Sequence, residues 1–283
     1  MPIHKNYGEA RPFLKWVGGK GQLLPELLKR VPESFGTYFE PFLGGGAVYF
    51  ALKPKKAVLN DLNDHLITSF RVIKNDTSAL IRRLKKIEKD FLEKDYDERK
   101  KMFLRLRDKF NIEKLDSLER SALMIFLNKT CFNGMYRENS KGGFNVPFGK
   151  YQNPKICDSE NLENVSKILK GAKLIAKSFS AAVKDAKKGD FVYFDPPYLP
   201  ISKTSSFTSY YEADFALQEQ IELRDLFADL AKRGVYVMAS NAHSSVIKDL
   251  YKDFKIYTVL AGRSINSKGD KRGKIKEYII TSF

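Results

Sequence analysis

Phe191-Val192-Tyr193-Phe194-Asp195-Pro196-Pro197-Tyr198 is the stretch from which the rest of the chain can be read. Its first four residues are apolar and aromatic and describe a buried strand. Two successive prolines offer no N–H to a ladder, and each restricts the residue before it, so the strand stops at Asp195. In an open α/β sheet, ligands bind beyond the carboxyl ends of the strands. The tetrapeptide therefore sets a carboxylate, a fixed backbone carbonyl and an aromatic ring at one strand edge. Such a set suits the exocyclic amino group of a nucleobase, whose lone pair is delocalised into the ring and is a poor nucleophile. Two acceptors, the Asp195 carboxylate and the Pro196 carbonyl, would hold both amino hydrogens and favour a tetrahedral nitrogen with its lone pair directed outward. Tyr198 would stack on the base once it has left the helix. A bare turn after a strand can use the same Asp-Pro-Pro; the tyrosine after it and the aromatic strand before it favour the functional reading.

Upstream, Tyr38-Phe39-Glu40-Pro41-Phe42-Leu43-Gly44-Gly45-Gly46-Ala47-Val48 runs from a short apolar strand through a glycine loop into an apolar helix start. This is a nucleotide-type β-turn-α unit with only half of the dinucleotide fingerprint, since Tyr49 stands at the third glycine position. A loop of this kind suits a ligand without a pyrophosphate, such as an adenosyl amino acid. The next strand, Lys56 to Asp61, ends on a carboxylate placed to accept from ribose hydroxyls. Asp61 could instead cap the helix that begins near His65, although Asn63 or Asp64 would serve that better. Before these, Arg11 to Lys20 is not a phosphate loop: Gly21 comes after Lys20, and Leu14 occupies the required earlier glycine position. A glycine pair beside Lys15 and Trp16 lets backbone approach a ligand with the indole packed on it. Taken by itself, a glycine turn entering a helix from Gln22 to Lys29, with Trp16 in the core, is the stronger reading.

From Thr77 to Lys129 apolar residues recur at helical spacing in a highly charged background, which describes an inserted helical subdomain. Thr130 to Tyr151 alternates aromatics with glycines, asparagines and cations, and Asn133-Gly134 and Gly142-Gly143 are turn signals. A hairpin of this composition suits groove reading, where Arg pairs with guanine and Asn with adenine, and an exposed aromatic can wedge between base steps. Helix and strand alternate again after about Asn161: strand Lys173–Ala176, the Asp195 strand, helix Phe215–Lys232, strand Val235–Ser240, helix Ser244–Tyr251, and strands Lys255–Leu260 and Glu277–Phe283. A hydroxyl-rich loop, 202–211, could close over a bound base. A basic loop, 263–274, is suited to gripping phosphate or is an ordinary hairpin loop.

The 283 residues can bury a sizeable core. Fifty lysines and arginines against 34 acids leave a net charge of +16, which predicts a polyanionic partner, most simply nucleic acid. Cys131 and Cys157 stand at no metal or redox spacing, and the three histidines are scattered, so no metal site is expected. No apolar run suggests a membrane span, and no apolar stretch comes after the N-terminus, so a cytoplasmic location without membrane contact is expected.

Lys15-Trp16-x-Gly-Gly-Lys20, Phe39-Glu-Pro-Phe-x-Gly-Gly-Gly46, Asn60-Asp61, Asn133-Gly-x-x-Arg137, Phe144-Asn-Val-Pro-Phe-Gly149 and Asp195-Pro-Pro-Tyr198 occur in one order. In that order the chain resembles, over nearly its whole length, the Dam-type DNA adenine-N6 methyltransferases, which include the DpnII-type modification enzymes. The resemblance implies S-adenosylmethionine as methyl donor, with no metal, and a Rossmann-like α/β sheet of seven mostly parallel strands with a reversed last strand. It implies a discontinuous catalytic domain, 1–75 and 165–283, around a mainly helical target-recognition domain, 76–164. Trp16, Lys20, Phe39, Gly44, Gly46, Asp61 and Asp195 are then expected at the cofactor, and Asp195, Pro196 and Tyr198 at the reacting base. Lys15 would match the residue reading the first guanine of GATC, Met135 and Arg137 those reading the outer base pairs, and Phe132 the aromatic that intercalates, with Asn133 beside it. Asn139 and Pro147 complete the expected contacts to double-stranded DNA. Phe132 replaces a tyrosine and Met135 a leucine of the family pattern. A cognate restriction endonuclease acting on the same site would be a further partner. Cytosine-N4 methylation, adenine methylation in RNA, and a catalytically inactive DNA-binding protein of the same fold are the alternatives. Enzymes of the first kind usually carry Ser in place of Asp195, and the intact Asp195, Tyr198 and Asp61 argue against the last.

Overall fold

The computed structural model describes residues 10–198, 210–262 and 274–283. Seven strands form one sheet: β1 (Tyr38–Glu40), β2 (Ala57–Asn60), β3 (Ala172–Ile175), β4 (Phe191–Phe194), β5 (Tyr236–Ala242), β6 (Lys255–Gly262) and β7 (Lys274–Thr281). Their order is β3-β2-β1-β4-β5-β7-β6. β1 runs parallel to β2 and β4, and β4 parallel to β5, while β7 runs antiparallel to β5 and β6. The sheet is thus mostly parallel with a reversed last strand, as the resemblance implied. Because β2 and β4 flank β1 on opposite sides, the strand order reverses between β1 and β4. At such a switch point a parallel sheet opens a crevice beyond its carboxyl ends. Glu40 closes β1 there, and Asp195 comes directly after β4.

The chain divides into two compact units. One comprises Gln22–Leu43, Pro54–Leu62 and Lys177 onward. In it every residue of β4 is buried, the pattern of a parallel strand covered on both faces. Val192 and Phe194 alternate onto one face and meet Val237, Ala239 and Ile280 from neighbouring strands. That face is covered by Leu223, Phe227 and Leu230 of helix α8 (Tyr210–Lys232) and by Ile247 of helix α9 (Ser245–Leu250). Earlier in the chain, helices α1 to α7 span Leu24–Leu28, Ala47–Leu52, Asp64–Leu92, Tyr96–Ile112, Ser117–Thr130, Ser159–Leu169 and Phe179–Ala182.

The other unit holds Gly44–Lys53, Asn63–Ala176 and the described residues up to Gly21. Asn63, not Asp61, caps α3, its side chain accepting from the Leu66 N–H at 2.9 Å. α3 runs on through the boundary expected at 75/76, where a kink at Asp76 (φ −132°, ψ 34°) breaks its regularity. Beyond the kink Leu80, Leu84, Ile87 and Phe91 are buried at helical spacing. α5 is buried all round from Ser121 to Asn128 and forms the centre of the helical part. Phe91, Phe103, Phe126 and Phe148 pack about it, with ring centroids 5.3–6.3 Å apart.

The expected hairpin is present but irregular. A 3₁₀ turn at Phe132–Gly134 leads into two antiparallel bridges, Cys131–Phe148 and Glu138–Phe144. Asn133 (φ 57°) and Gly134 (φ 64°) are both left-handed, which explains the turn composition there. The side chain of Asn111 on α4 clamps the hairpin, donating to the Phe144 carbonyl at 3.0 Å and accepting from the Phe144 N–H at 2.9 Å. Among the described residues no helix is long and apolar enough to cross a membrane. The loops read at 202–211 and 263–274 fall almost wholly outside the described residues.

Glu119 ties three helices of this unit. On α5, it accepts from Arg83 of α3 through Nε at 2.6 Å and Nη2 at 2.8 Å, and from Lys109 of α4 at 2.9 Å. The Arg83 bonds outweigh partial burial and hold its carboxyl down at about 2, against an ordinary 4.5. A carboxyl depressed in the folded state stabilises it above the unfolded pKa, and that stability is lost as pH falls through the folded one. Thermal melts of Glu119→Gln should therefore show a lower Tm at neutral pH. They should also show a shallower loss of Tm than wild type as pH falls from about 4.5 to about 2.

Candidate active site

Asp195-Pro196-Pro197-Tyr198 is held by hydrogen bonds from three separate elements. Ser240 of β5 donates its hydroxyl to Asp195 Oδ1 at 2.8 Å. The Tyr193 hydroxyl lies 2.8 Å from Ser240 Oγ. Since Ser240 has one hydrogen and gives it to Asp195, Tyr193 is the donor in that pair. The next residue of β5, Asn241, donates to Gln220 Oε1 of α8, and Gln220 donates to the Pro197 carbonyl, both at 2.9 Å. Tyr198 donates to Glu277 Oε2 of β7 at 3.0 Å. Carboxylate, proline backbone and ring are thus each fixed by a group on another element. Ser240, Asn241, Gln220 and Glu277 are all buried, so these bonds are shielded from water.

Burial raises the Tyr193 and Tyr198 hydroxyls well above the ordinary tyrosine value, and the Asp195 charge raises them further. Both stay protonated donors at working pH. The Tyr198 hydroxyl is therefore a donor and not a basic oxygen. Glu40, buried at the end of β1, accepts from the Tyr38 hydroxyl at 2.9 Å. Asn60 stitches the strand ends: its amide donates to the carbonyls of Pro41 and Lys177 at 2.9 and 3.0 Å, and its oxygen accepts from the Lys177 N–H at 2.9 Å. Asn60 is thus scaffold, and Asp61, just past β2, is partly exposed. Phe39, on β1, is buried in the hydrophobic core of the sheet.

The second group of expected residues lies in the other unit. Gly44 (φ 48°) and Gly46 (φ 74°) are left-handed. A Cβ on Gly44 would stand 2.8 Å from Trp16 Cδ1, so only glycine lets the indole lie across the loop. Trp16 is partly exposed and stacks on Tyr136 at 5.1 Å and 19°, so it is not the core residue that its local sequence favoured. Lys20 is buried and donates to the Gly18 carbonyl at 2.8 Å. A glycine cradle closed by an indole face, without a phosphate loop, fits the adenosyl amino acid that the family pattern implies.

Among the base-reading candidates Phe132 is 52% exposed, and Lys15, Asn133, Arg137, Asn139 and Pro147 are exposed, while Met135 is partly buried. Arg137 donates through Nε to Asn145 Oδ1 at 2.8 Å, which orients its guanidinium. Asn139 Oδ1 accepts from the N–H groups of Lys141 and Gly143 at 3.0 Å, so this oxygen shapes the turn. The residue that organises the group was not picked out from the sequence. Asn128, buried on α5, accepts from the Lys15 N–H at 3.0 Å and donates to the carbonyls of Lys15 at 2.9 Å and Gly134 at 3.0 Å.

Residues 16–265 match the family described as D12 class N6 adenine-specific DNA methyltransferase. The chain belongs to that family. It is an adenine-specific DNA methyltransferase, and its family implies use of S-adenosylmethionine. The chain is 44% identical to the Type II methyltransferase M1.LlaDCHI of Lactococcus lactis subsp. cremoris, over 99% of this chain and 98% of that one. It is 46% identical to the Type II methyltransferase M.MjaIII of Methanocaldococcus jannaschii, over 97% and 100%. With the DNA adenine methylase of Escherichia coli K12 the identity is 31%, over 95% and 94%.

In this methyltransferase the Ser240 hydroxyl sets the Asp195 carboxylate. Ser240→Ala should lower single-turnover kcat about tenfold, on the order of the ~1–3 kcal/mol lost when a buried polar group loses its partner. Its affinity for duplex DNA, measured by mobility shift, should stay at the wild-type level.

Proposed function

We propose that the methyltransferase acts on an adenine flipped out of GATC in double-stranded DNA. The observation that carries the reading is the triple anchoring of Asp195-Pro196-Pro197-Tyr198, which keeps two acceptors and a ring in a fixed relation. Asp195 and the Pro196 carbonyl take the two amino hydrogens, so the nitrogen lone pair leaves conjugation and points away from the acceptors. Tyr198 carries the stacked base and offsets part of the few kcal/mol that unstacking costs. S-adenosylmethionine supplies an electrophilic sulfonium methyl, and no protein nucleophile is required. Trp16, Lys20, Gly44 and Asp61 would hold the cofactor. Most of the rate then comes from positioning and preorganised electrostatics.

Recognition falls to exposed Lys15 and to the hairpin, where Phe132 fills the gap left by the adenine and Arg137 reads an outer guanine. The helical part, 76–164, is read as the target-recognition domain. Two Type II methyltransferases share 44% and 46% identity with this chain, and this supports pairing with an endonuclease of the same specificity.

Asp195→Ala should retain duplex binding and lose methyl transfer by about 10²–10³-fold or more, the range for removing one preorganised group. Turnover near the wild-type rate would defeat the role given to this carboxylate. Modification-sensitive sequencing of DNA from an expressing host should show N6-methyladenine in GATC. Another context would leave the chemistry standing and overturn the recognition sequence.

A further inference from the structure

Tyr136 lies in the hairpin between two candidate base readers, Met135 and Arg137, and like Met135 it is partly buried while Arg137 is exposed. It stacks on Trp16 at 5.1 Å with only 19° between planes. Its hydroxyl donates to Glu138 Oε1 at 2.6 Å, and Asn63, the cap of α3, donates to the same oxygen at 3.3 Å. Glu138 is itself paired with Phe144 across the hairpin, and Phe144 touches the Tyr136 ring at 5.6 Å. Trp16 also lies against Gly44, where a Cβ would stand 2.8 Å from its Cδ1. Asn128 binds the backbone of Lys15 and the carbonyl of Gly134 with one amide. A packed and hydrogen-bonded path therefore runs from the glycine loop through Trp16 and Tyr136 to the hairpin, all within one compact unit.

We propose that Tyr136 is a positioning residue through which sequence reading by the hairpin and cofactor binding at Trp16 strengthen one another. The inference rests on the functional reading above. When Met135 and Arg137 engage their bases, the ring between them is fixed, and the face it presents to Trp16 is fixed with it. The indole then meets the cofactor already ordered, and the ordering cost is met once for both ligands. Coupling of this kind is reciprocal. An offset-stacked aromatic pair supports a coupling factor of about two- to tenfold.

Trp16 is the chain's single tryptophan, so indole emission reports this site alone. The test titrates S-adenosylhomocysteine, an unreactive product, against Trp16 emission in three conditions: without DNA, with a duplex carrying the mapped methylation site, and with a duplex lacking it. Wild type should bind S-adenosylhomocysteine about two- to tenfold more tightly with the site-bearing duplex than with the other. The same factor should appear in duplex affinity when S-adenosylhomocysteine is added. Tyr136→Ala should bring the factor close to one, whereas Tyr136→Phe, which keeps the ring, should retain it. A wild-type factor of one overturns the proposal whatever the variants do, and so does a Tyr136→Ala factor equal to that of wild type. If wild type leaves labelled methyl on no adenine, the functional reading has failed. If it methylates and the factor is one, the coupling alone has failed.

Discussion

A hydrogen bond from the Ser240 hydroxyl on β5 to the carboxylate of Asp195, just past the end of β4, is the constraint on which this end of the sheet depends. Two prolines end β4, so backbone pairing can no longer hold the residues beyond it. Side chains take over that duty, and they can do so only because β5 runs past the end of β4. Ser240 and Asn241 sit on that extension and point to opposite faces. One sets the carboxylate, and the other, through Gln220, sets the proline backbone. A register shift of one residue would exchange the two faces and lose both supports.

The same logic explains why burial and polarity coexist here. An unpaired buried hydroxyl, amide or carboxylate is costly, so each of these groups must meet a partner. Tyr193, Ser240 and Asp195 form a directed chain in which every donor has a defined acceptor. Such a chain keeps acceptor oxygens in place without waiting for the substrate to order them. For a reaction whose nucleophile is an amide-like nitrogen, a fixed set of acceptors matters more than a strong base, and the protonated state of Tyr198 agrees with that.

Much of this could be read from the sequence because it is local. The strand stop at Asp195, the glycine loop and the carboxylate after β2 each depend on residues within a few positions of one another. The supports were not legible, since Ser240, Gln220 and Glu277 lie 45, 23 and 79 positions from the residues they hold. A faint signal exists: Ser240-Asn241 places two polar residues directly after an apolar run, and the strand read to Ser240 in fact continues to Ala242. Trp16 shows the reverse error. Its surroundings in the sequence favoured a core position, but the ring that covers it belongs to Tyr136, far along the chain. The turn duty of the Asn139 side-chain oxygen is likewise set by neighbours that residue type alone does not indicate.

How the residues are shared between the two units bears on how specificity and chemistry are joined. Trp16, Lys20 and Gly44 belong to the unit that carries the hairpin, whereas Asp195 and Tyr198 belong to the unit that carries most of the sheet. On the reading proposed above, the tryptophan assigned to the cofactor is therefore built into the same unit as the hairpin rather than into the unit of Asp195 and Tyr198. Asn128 makes this literal, since one buried amide holds both the Lys15 backbone and the hairpin's first turn. Truncating it would remove the side-chain partner of one N–H and two carbonyls, a loss of three hydrogen bonds from one substitution. A single side chain that fixes two functional segments makes it hard for one to change without the other. On the reading proposed above, in which Lys15 and the hairpin both meet the DNA site, that linkage would be the physical form specificity takes.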